Sequence, residues 1–327
     1  MMNKTMKALI YDGERAVFRS DMPVPERKAH ESLVRIIYAN ICSTDREILK
    51  GYRPDFRGVL GHEFIGEVVE SDDPALIGKV VAGELNEGCG DCIYCRTGRE
   101  KHCLDRKVIG MSKDGCFAEY MTIATRLLHV LPEGLEPEKA IFTEPLAAAL
   151  EICEQVSIKP SLNAAVIGDG RLAFMVTQVL ALTGIDLTVI GKHPDKLRMF
   201  EPFARVRLRD EYIDGAGYKS LSGEECFEYV VEASGNETGI ELAMNIVRKK
   251  GTIILKSTYA GKTSLDLSLF AVNELTLVGS RCGPFEPALK LLKDGKVSFP
   301  PVELYDLEDH EAAFASRAFK AGFRFTK

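Results

Sequence analysis

The chain has 327 residues, with 42 Lys and Arg against 48 Asp and Glu for a formal charge of −6, 46% apolar residues and no Trp. That length accommodates about two domains, and the mildly acidic, interspersed charge gives no electrostatic support for a nucleic-acid partner. Collagen, coiled coil and disorder do not fit the composition, and no apolar stretch of about 18 residues is present to span a membrane.

In chain order, the N-terminal Met1-Met2-Asn3-Lys4-Thr5-Met6 runs into a strand-like segment, 7–11, without a signal-type apolar core, and the expectation is a cytoplasmic protein. From 7 to 130 short strands alternate with Gly and Pro, among them 33–38, 64–69 and 117–123, which predicts an irregular β-rich domain. A helix is expected over 138–153. Beyond Lys159-Pro160 the texture changes to strand and helix in alternation: strand 163–167, helix 172–182, then strands 187–190, 227–232, 252–256 and 275–278. That alternation predicts a parallel, doubly wound sheet, and the chain is placed in the α/β class.

Four elements carry chemistry. Of the nine cysteines, Cys89, Cys92, Cys95 and Cys103 fall within fifteen residues, and in a reducing compartment such a cluster means metal rather than disulfides. Four thiolates close a tetrahedral Zn²⁺ shell, so the implied role is structural. The second element is Cys42-Ser43-Thr44-Asp45 followed by Gly61-His62-Glu63: Cys plus His suits zinc, an acidic residue is a possible third ligand, and one position stays open. A lone Cys and a lone His are otherwise ordinary core residues. Third, Glu144 lies in an apolar, Ala-rich segment, either as a buried carboxylate with a metal partner or as an acidic residue opening a helix before Pro145. Fourth, Gly168-Asp169-Gly170-Arg171-Leu172-Ala173 lies between a predicted strand and a predicted helix. There the glycines permit a tight turn and let a pyrophosphate approach the helix N-terminus, with Gly168, Gly170 and Leu172 as cofactor-binding candidates.

In this order, over almost the whole chain, these elements resemble the zinc-dependent alcohol dehydrogenase branch of the medium-chain dehydrogenase/reductase superfamily. The resemblance implies a GroES-like catalytic domain of residues 1–146, completed by 281–327, with a Rossmann coenzyme domain of residues 147–280 between them. It implies Cys42 and His62 as catalytic zinc ligands, Glu63 as the acidic residue that binds or exchanges at the metal, Thr44 as the hydroxyl relay to the substrate and Asp45 as a carboxylate behind the ligands. Glu144 stands where simple alcohol dehydrogenases have a third zinc-binding Cys, and Glu144-Pro145-Leu146-Ala147 is similar to the polyol, threonine and sugar dehydrogenases. Glu47 stands where some members have a relay His. The implied activity is hydride transfer between a small secondary alcohol, or its carbonyl, and NAD(P). Two zinc ions per chain and a homo-oligomer, dimer or tetramer, are expected with it.

Coenzyme choice turns on the end of the second Rossmann strand. By alignment on the glycine turn, Gly191 takes the position of the acidic residue that holds the ribose 2′-hydroxyl in NAD sites, and Lys192, His193 and Lys196 adjoin it. NADP(H) is therefore expected over NAD(H), with Asp195 serving NAD as the alternative. Two other readings stay open, a zinc-free alkene or quinone reductase and a non-catalytic nucleotide-binding member, although the retained ligand residues weigh against both. Cys116, Cys153, Cys226 and Cys282 are expected to be small core residues.

Overall fold

Leu33, Val34, Ile36 and Ala39 are all buried in the strand Glu31–Asn40, which is the centre of the first sheet. It pairs antiparallel with Glu63–Glu70, Tyr120–Ala124 and Ala321–Arg324. The sheet continues through Val80–Gly83 and Leu128–Val130 on one side and Glu303–Tyr305 on the other, seven strands in all. A second sheet joins Ala16–Pro23, Thr5–Tyr11 and Gly58–Val59. The structure is a computed structural model that describes residues 5–215, 217–219, 221–258 and 263–325. Met1, Met2, Asn3 and Lys4 of the N-terminal reading lie outside the described residues. By proximity the chain divides into two units, Met1–Glu144 with Phe285–Lys327 and Pro145–Pro284. Among the described residues no helix is long and apolar enough to cross a membrane.

Two sequence expectations over residues 117–155 are corrected. The strand expected over 117–123 begins at Tyr120, because Phe117 bonds elsewhere: its N–H donates to Leu60 O at 2.8 Å and its carbonyl accepts from Leu9 N at 2.8 Å. The helix expected over 138–153 is two helices, Pro137–Ala140 and Thr143–Gln155. Pro145 has no N–H to give to residue 141, so a continuous helix would be broken there, whereas the first turn of a new helix tolerates it.

One ion cluster ties the start of the central strand to the loops around it. Lys113 Nζ lies 2.9 Å from Glu31 Oε1 and 2.8 Å from Glu87 Oε2, all three side chains being largely buried. Burial opposes ionisation of Glu31 and is the largest single influence, but the bond from Lys113, the N–H of Lys28 and the two lysine charges together outweigh it and hold the Glu31 carboxyl below its usual range. A depressed carboxylate stabilises the fold above its unfolded pKa, and that contribution is lost as pH falls through the folded value. Lys113→Met is therefore expected to lower stability most at neutral pH, with the gap to wild type closing below about pH 4. Denaturant unfolding across pH checks this, and a gap that does not narrow on acidification would refute it.

The second unit is a six-stranded parallel sheet in the spatial order Arg205–Leu208, Asp186–Gly191, Asn163–Ile167, Phe227–Glu232, Val247–Leu255, Thr276–Gly279. Numbered by sequence that order is 3-2-1-4-5-6, the doubly wound arrangement, whose switch point falls between the first and fourth strands. The helix Arg171–Ala181 buries eight consecutive residues, Ala173 to Leu180, which anchors the turn that precedes it. Lys256 is buried at the end of the fifth strand, and its ammonium donates to Ala148 O at 2.6 Å, Arg281 O at 2.9 Å and Ser280 Oγ at 3.2 Å. Cys116 and Cys226 are buried as expected, whereas Cys153 is exposed on its helix and Cys282 half-buried, so neither of those two is a core residue.

Candidate active site

The four clustered cysteines are all free, and each offers an Sγ within 4.8 Å of the others. Cys92 caps the short helix Ile93–Arg96 that carries Cys95, Cys103 ends the turn Glu100–His102, and Cys89 donates its N–H to Cys103 Sγ at 3.2 Å. Sulfur pairs stand 3.6 Å apart for Cys92 and Cys95 and 3.8 Å for Cys92 and Cys103. A tetrahedral zinc with Zn–S of about 2.3 Å needs sulfur atoms about 3.8 Å apart, so the set fits the ion. Backbone N–H groups of Cys95 and Leu104 draw the Cys92 thiol down to about 6, towards the thiolate a metal requires. Gly88 is required here, since a Cβ would lie 2.7 Å from Cys95 Sγ.

The second set is built where the central strand ends. Cys42 follows Glu31–Asn40 and caps the helix Ser43–Ile48. Its N–H donates to Asp45 Oδ2 at 2.7 Å, and Thr44 Oγ1 lies 3.8 Å from its Sγ. His62 immediately precedes the neighbouring strand Glu63–Glu70, in which Glu63 is registered against Asn40. Gly61 makes the entry turn at φ 89°, its Cα packed so closely on Phe117 that a Cβ would lie 2.3 Å from that ring. The result brings donor atoms of Cys42, His62 and Glu63 within 4.8 Å of one another.

Asp45 is fully buried, and its Oδ1 lies 3.5 Å from His62 Nδ1. A carboxylate there holds the ring with Nδ1 protonated, which leaves Nε2 as the ligand atom. Burial opposes a charged ring, but Asp45 and Cys42 together outweigh it and the His62 pKa stands well above 6.5, so a metal must displace a proton. Soft thiolate, imidazole and carboxylate with fewer than four protein ligands is the donor chemistry of an open zinc site, which these residues fit. Cys116 lies beside the set, donating to Glu63 O at 3.6 Å, and burial pushes its thiol up, which makes it inert.

Sequence reasoning missed one residue here. Lys320 is buried, and its Nζ lies 2.8 Å from Glu63 Oε1 and 2.6 Å from Oε2. The C-terminal strand puts it there, because Gly322 pairs with the same Asn40 that pairs with Glu63. Glu144 is not part of the three-residue donor set; it occupies the first turn of Thr143–Gln155, where a negative charge suits the helix dipole. Glu47 is exposed and pairs with Lys50 at 2.8 Å.

In the second unit Gly168, at φ 130°, ends the first strand so close to the fourth that a Cβ would lie 2.6 Å from Ala233 O. Gly170 caps the helix Arg171–Ala181 with nothing within 4 Å of where its Cβ would be, and with no side-chain cap on the helix amides. Open space over uncapped N–H groups at the switch point is a cradle that a dinucleotide pyrophosphate fits. Leu172 is half-buried in the first helical turn, Gly191 is buried at the end of the second strand, and Lys192, His193 and Lys196 are exposed beyond it.

A zinc-type donor set and a dinucleotide cradle in one chain define an oxidoreductase that exchanges hydride with a nicotinamide coenzyme. Residues 28–133 match the alcohol dehydrogenase GroES-like domain. Sorbitol dehydrogenase from Halalkalibacterium halodurans is 30% identical over 97% of this chain and 97% of its own, and the chain accordingly belongs to the zinc-dependent alcohol dehydrogenases of the medium-chain dehydrogenase/reductase superfamily. L-galactonate-5-dehydrogenase from Escherichia coli is 26% identical over 90% of this chain and 89% of its own. A Sinorhizobium meliloti protein solved with NADP superposes with a TM-score of 0.87 at 24% identity, over 99% of this chain and 100% of that one.

Proposed function

We propose that the chain interconverts a secondary alcohol of polyol, sugar or hydroxy-amino-acid type and its ketone with NAD(P), favouring NADP(H). In this reading a catalytic zinc is held by Cys42, His62 and the carboxylate of Glu63 or Glu144, and a structural zinc by Cys89, Cys92, Cys95 and Cys103. The observation that carries it is the convergence of Cys42, His62 and Glu63 donors to within 4.8 Å. A zinc ion held there supplies Lewis-acid polarisation of the substrate oxygen. Thr44 relays the substrate proton: on oxidation its oxygen receives the proton of the substrate hydroxyl as its own hydroxyl proton passes on towards solvent, and the direction reverses on reduction. Asp45 fixes the His62 ring, and the Gly168–Gly170 turn with the first helical amides holds the coenzyme pyrophosphate. Relatives that act on sorbitol and L-galactonate support a polyhydroxylated substrate, whose neighbouring hydroxyl finds an acceptor in an acidic residue at the metal. Lys192, His193 and Lys196 support the NADP(H) preference.

A homo-oligomer, dimer or tetramer, belongs to the same proposal: Leu267, Leu269, Val272 and Leu277 are exposed on and beside the edge strand Thr276–Gly279, where apolar surface and unpaired backbone favour association. The test is a panel of polyols, sugars and hydroxy-amino acids with each coenzyme, followed by the absorbance of the reduced nicotinamide. Turnover that a chelator abolishes and zinc restores is the expected result. Chelator-resistant reduction of alkenes or quinones would install the zinc-free reductase instead, and coenzyme binding without any turnover the non-catalytic member.

A further inference from the structure

The end of the strand Asp186–Gly191 carries a carboxylate that its own sequence lacks. Asp169, the middle residue of the glycine turn, reaches across to it. Its Oδ2 accepts the N–H of Lys192 at 2.8 Å and of His193 at 2.9 Å, and stands 2.9 Å from His193 Nδ1. Lys196 Nζ lies 4.0 Å from its Oδ1. The Asp169 side chain is only 12% exposed. Gly191 is glycine for the same reason: a Cβ there would lie 2.9 Å from Asp169 Cβ, 3.0 Å from its Oδ2 and 2.8 Å from Leu197 Cδ2. The space of an acidic side chain at 191 is thus occupied by the side chain of 169, and Gly191→Asp has no room to act as a coenzyme switch.

We propose that Asp169 is the specificity-determining carboxylate for the adenosine ribose of the coenzyme, accepting from its hydroxyls through Oδ1 and opposing a 2′-phosphate. Two arguments carry this. A carboxylate at the strand end places a negative charge where a 2′-phosphate would bring another. It also occupies the N–H groups of Lys192 and His193, which a phosphate would otherwise use. Burial raises the Asp169 pKa, but the N–H groups of His193 and Lys192, and then the His193 ring, outweigh it, so the group is ionised at neutral pH. Lys192, His193 and Lys196 pull the other way, so the coenzyme ratio is a contest between one carboxylate and three bases.

This rests on the glycine turn being the coenzyme site, and the experiment separates the two. Fluorescence titration gives the dissociation constants of NADH and NADPH, and their ratio, for wild type, Asp169→Asn, Asp169→Ser and His193→Ala. Asp169→Asn, which still accepts the two backbone N–H groups, is expected to shift the ratio towards NADPH by about tenfold. His193→Ala, which strips the carboxylate of a neutralising partner, shifts it towards NADH. An Asp169→Asn ratio within about twofold of wild type overturns the proposal. So does an equal loss of both coenzymes in Asp169→Asn and Asp169→Ser, which would make the residue a mere turn brace. The wild-type ratio alone decides the NADP(H) preference, and failure of wild type to bind either coenzyme overturns the site reading beneath the proposal.

Discussion

Cys42→Ala is expected to lower turnover on the order of a thousandfold or more while the fold persists, and Cys92→Ser to unfold its lobe first and lose activity only as a consequence. The difference follows from what surrounds each set. Cys42 sits at the end of a strand buried in a seven-stranded sheet, with Ile41 and Ile48 fully buried on either side, so removing its thiol leaves the packing in place. The cysteine lobe has no such core: Ile93 and Leu104 are exposed, and of the four thiols only Cys103 is buried. Metal binding to a set of this kind contributes about 10 kcal/mol or more in small zinc modules, as much as a whole domain's stability. Zinc analysis should give two ions per chain in wild type and one in Cys42→Ala, with an unchanged circular dichroism spectrum, whereas Cys92→Ser should be poorly soluble or melt early. Wild-type turnover in Cys42→Ala would remove that residue from the active site, and two zinc ions retained in Cys92→Ser would break the structural assignment.

Legibility of the sequence followed how local each feature was. The cysteine lobe and the glycine turn are encoded within a few residues, and spacing alone carries their chemistry. The strands Asn163–Ile167 and Phe227–Glu232, central in their sheet, read as apolar runs and stand where expected. The third strand of that sheet, Arg205–Leu208, was not legible, because an edge strand written Arg-Val-Arg-Leu with a largely exposed pattern has no apolar run to find. Asp169 was legible only as a filler between two glycines, since its partners are the amides at the end of a strand more than twenty residues on. Lys320 lay furthest out of reach: its partner is 257 residues away, and nothing near Phe319-Lys320-Ala321 marks it except the strand that follows.

Lys320→Met is expected to destabilise the zinc-free protein by about 3–5 kcal/mol, because it leaves the Glu63 carboxylate buried without its cation. The Lys320 and Glu63 side chains are 4% and 1% exposed, so water cannot take the ammonium's place. Lys320→Arg keeps the charge and should recover most of the loss. Lys320→Met combined with Glu63→Gln should be more stable than Lys320→Met alone, since a neutral amide costs less to bury unpaired than an ion, and the double-mutant cycle then reports the pair directly. Zinc bears on the same carboxylate. On the proposed zinc reading, Lys320 would compete with a metal at Cys42 and His62 for Glu63 in wild type, and without Lys320 the metal would take that carboxylate unopposed. Zinc should therefore stabilise Lys320→Met more than it stabilises wild type, while turnover falls because Glu63 then stays on the position that substrate needs. Thermal melts with and without zinc, read beside kcat, distinguish this from a lost packing contact: equal zinc stabilisation of both proteins, or unchanged kcat in Lys320→Met, would leave the pair a structural brace with no influence on the metal.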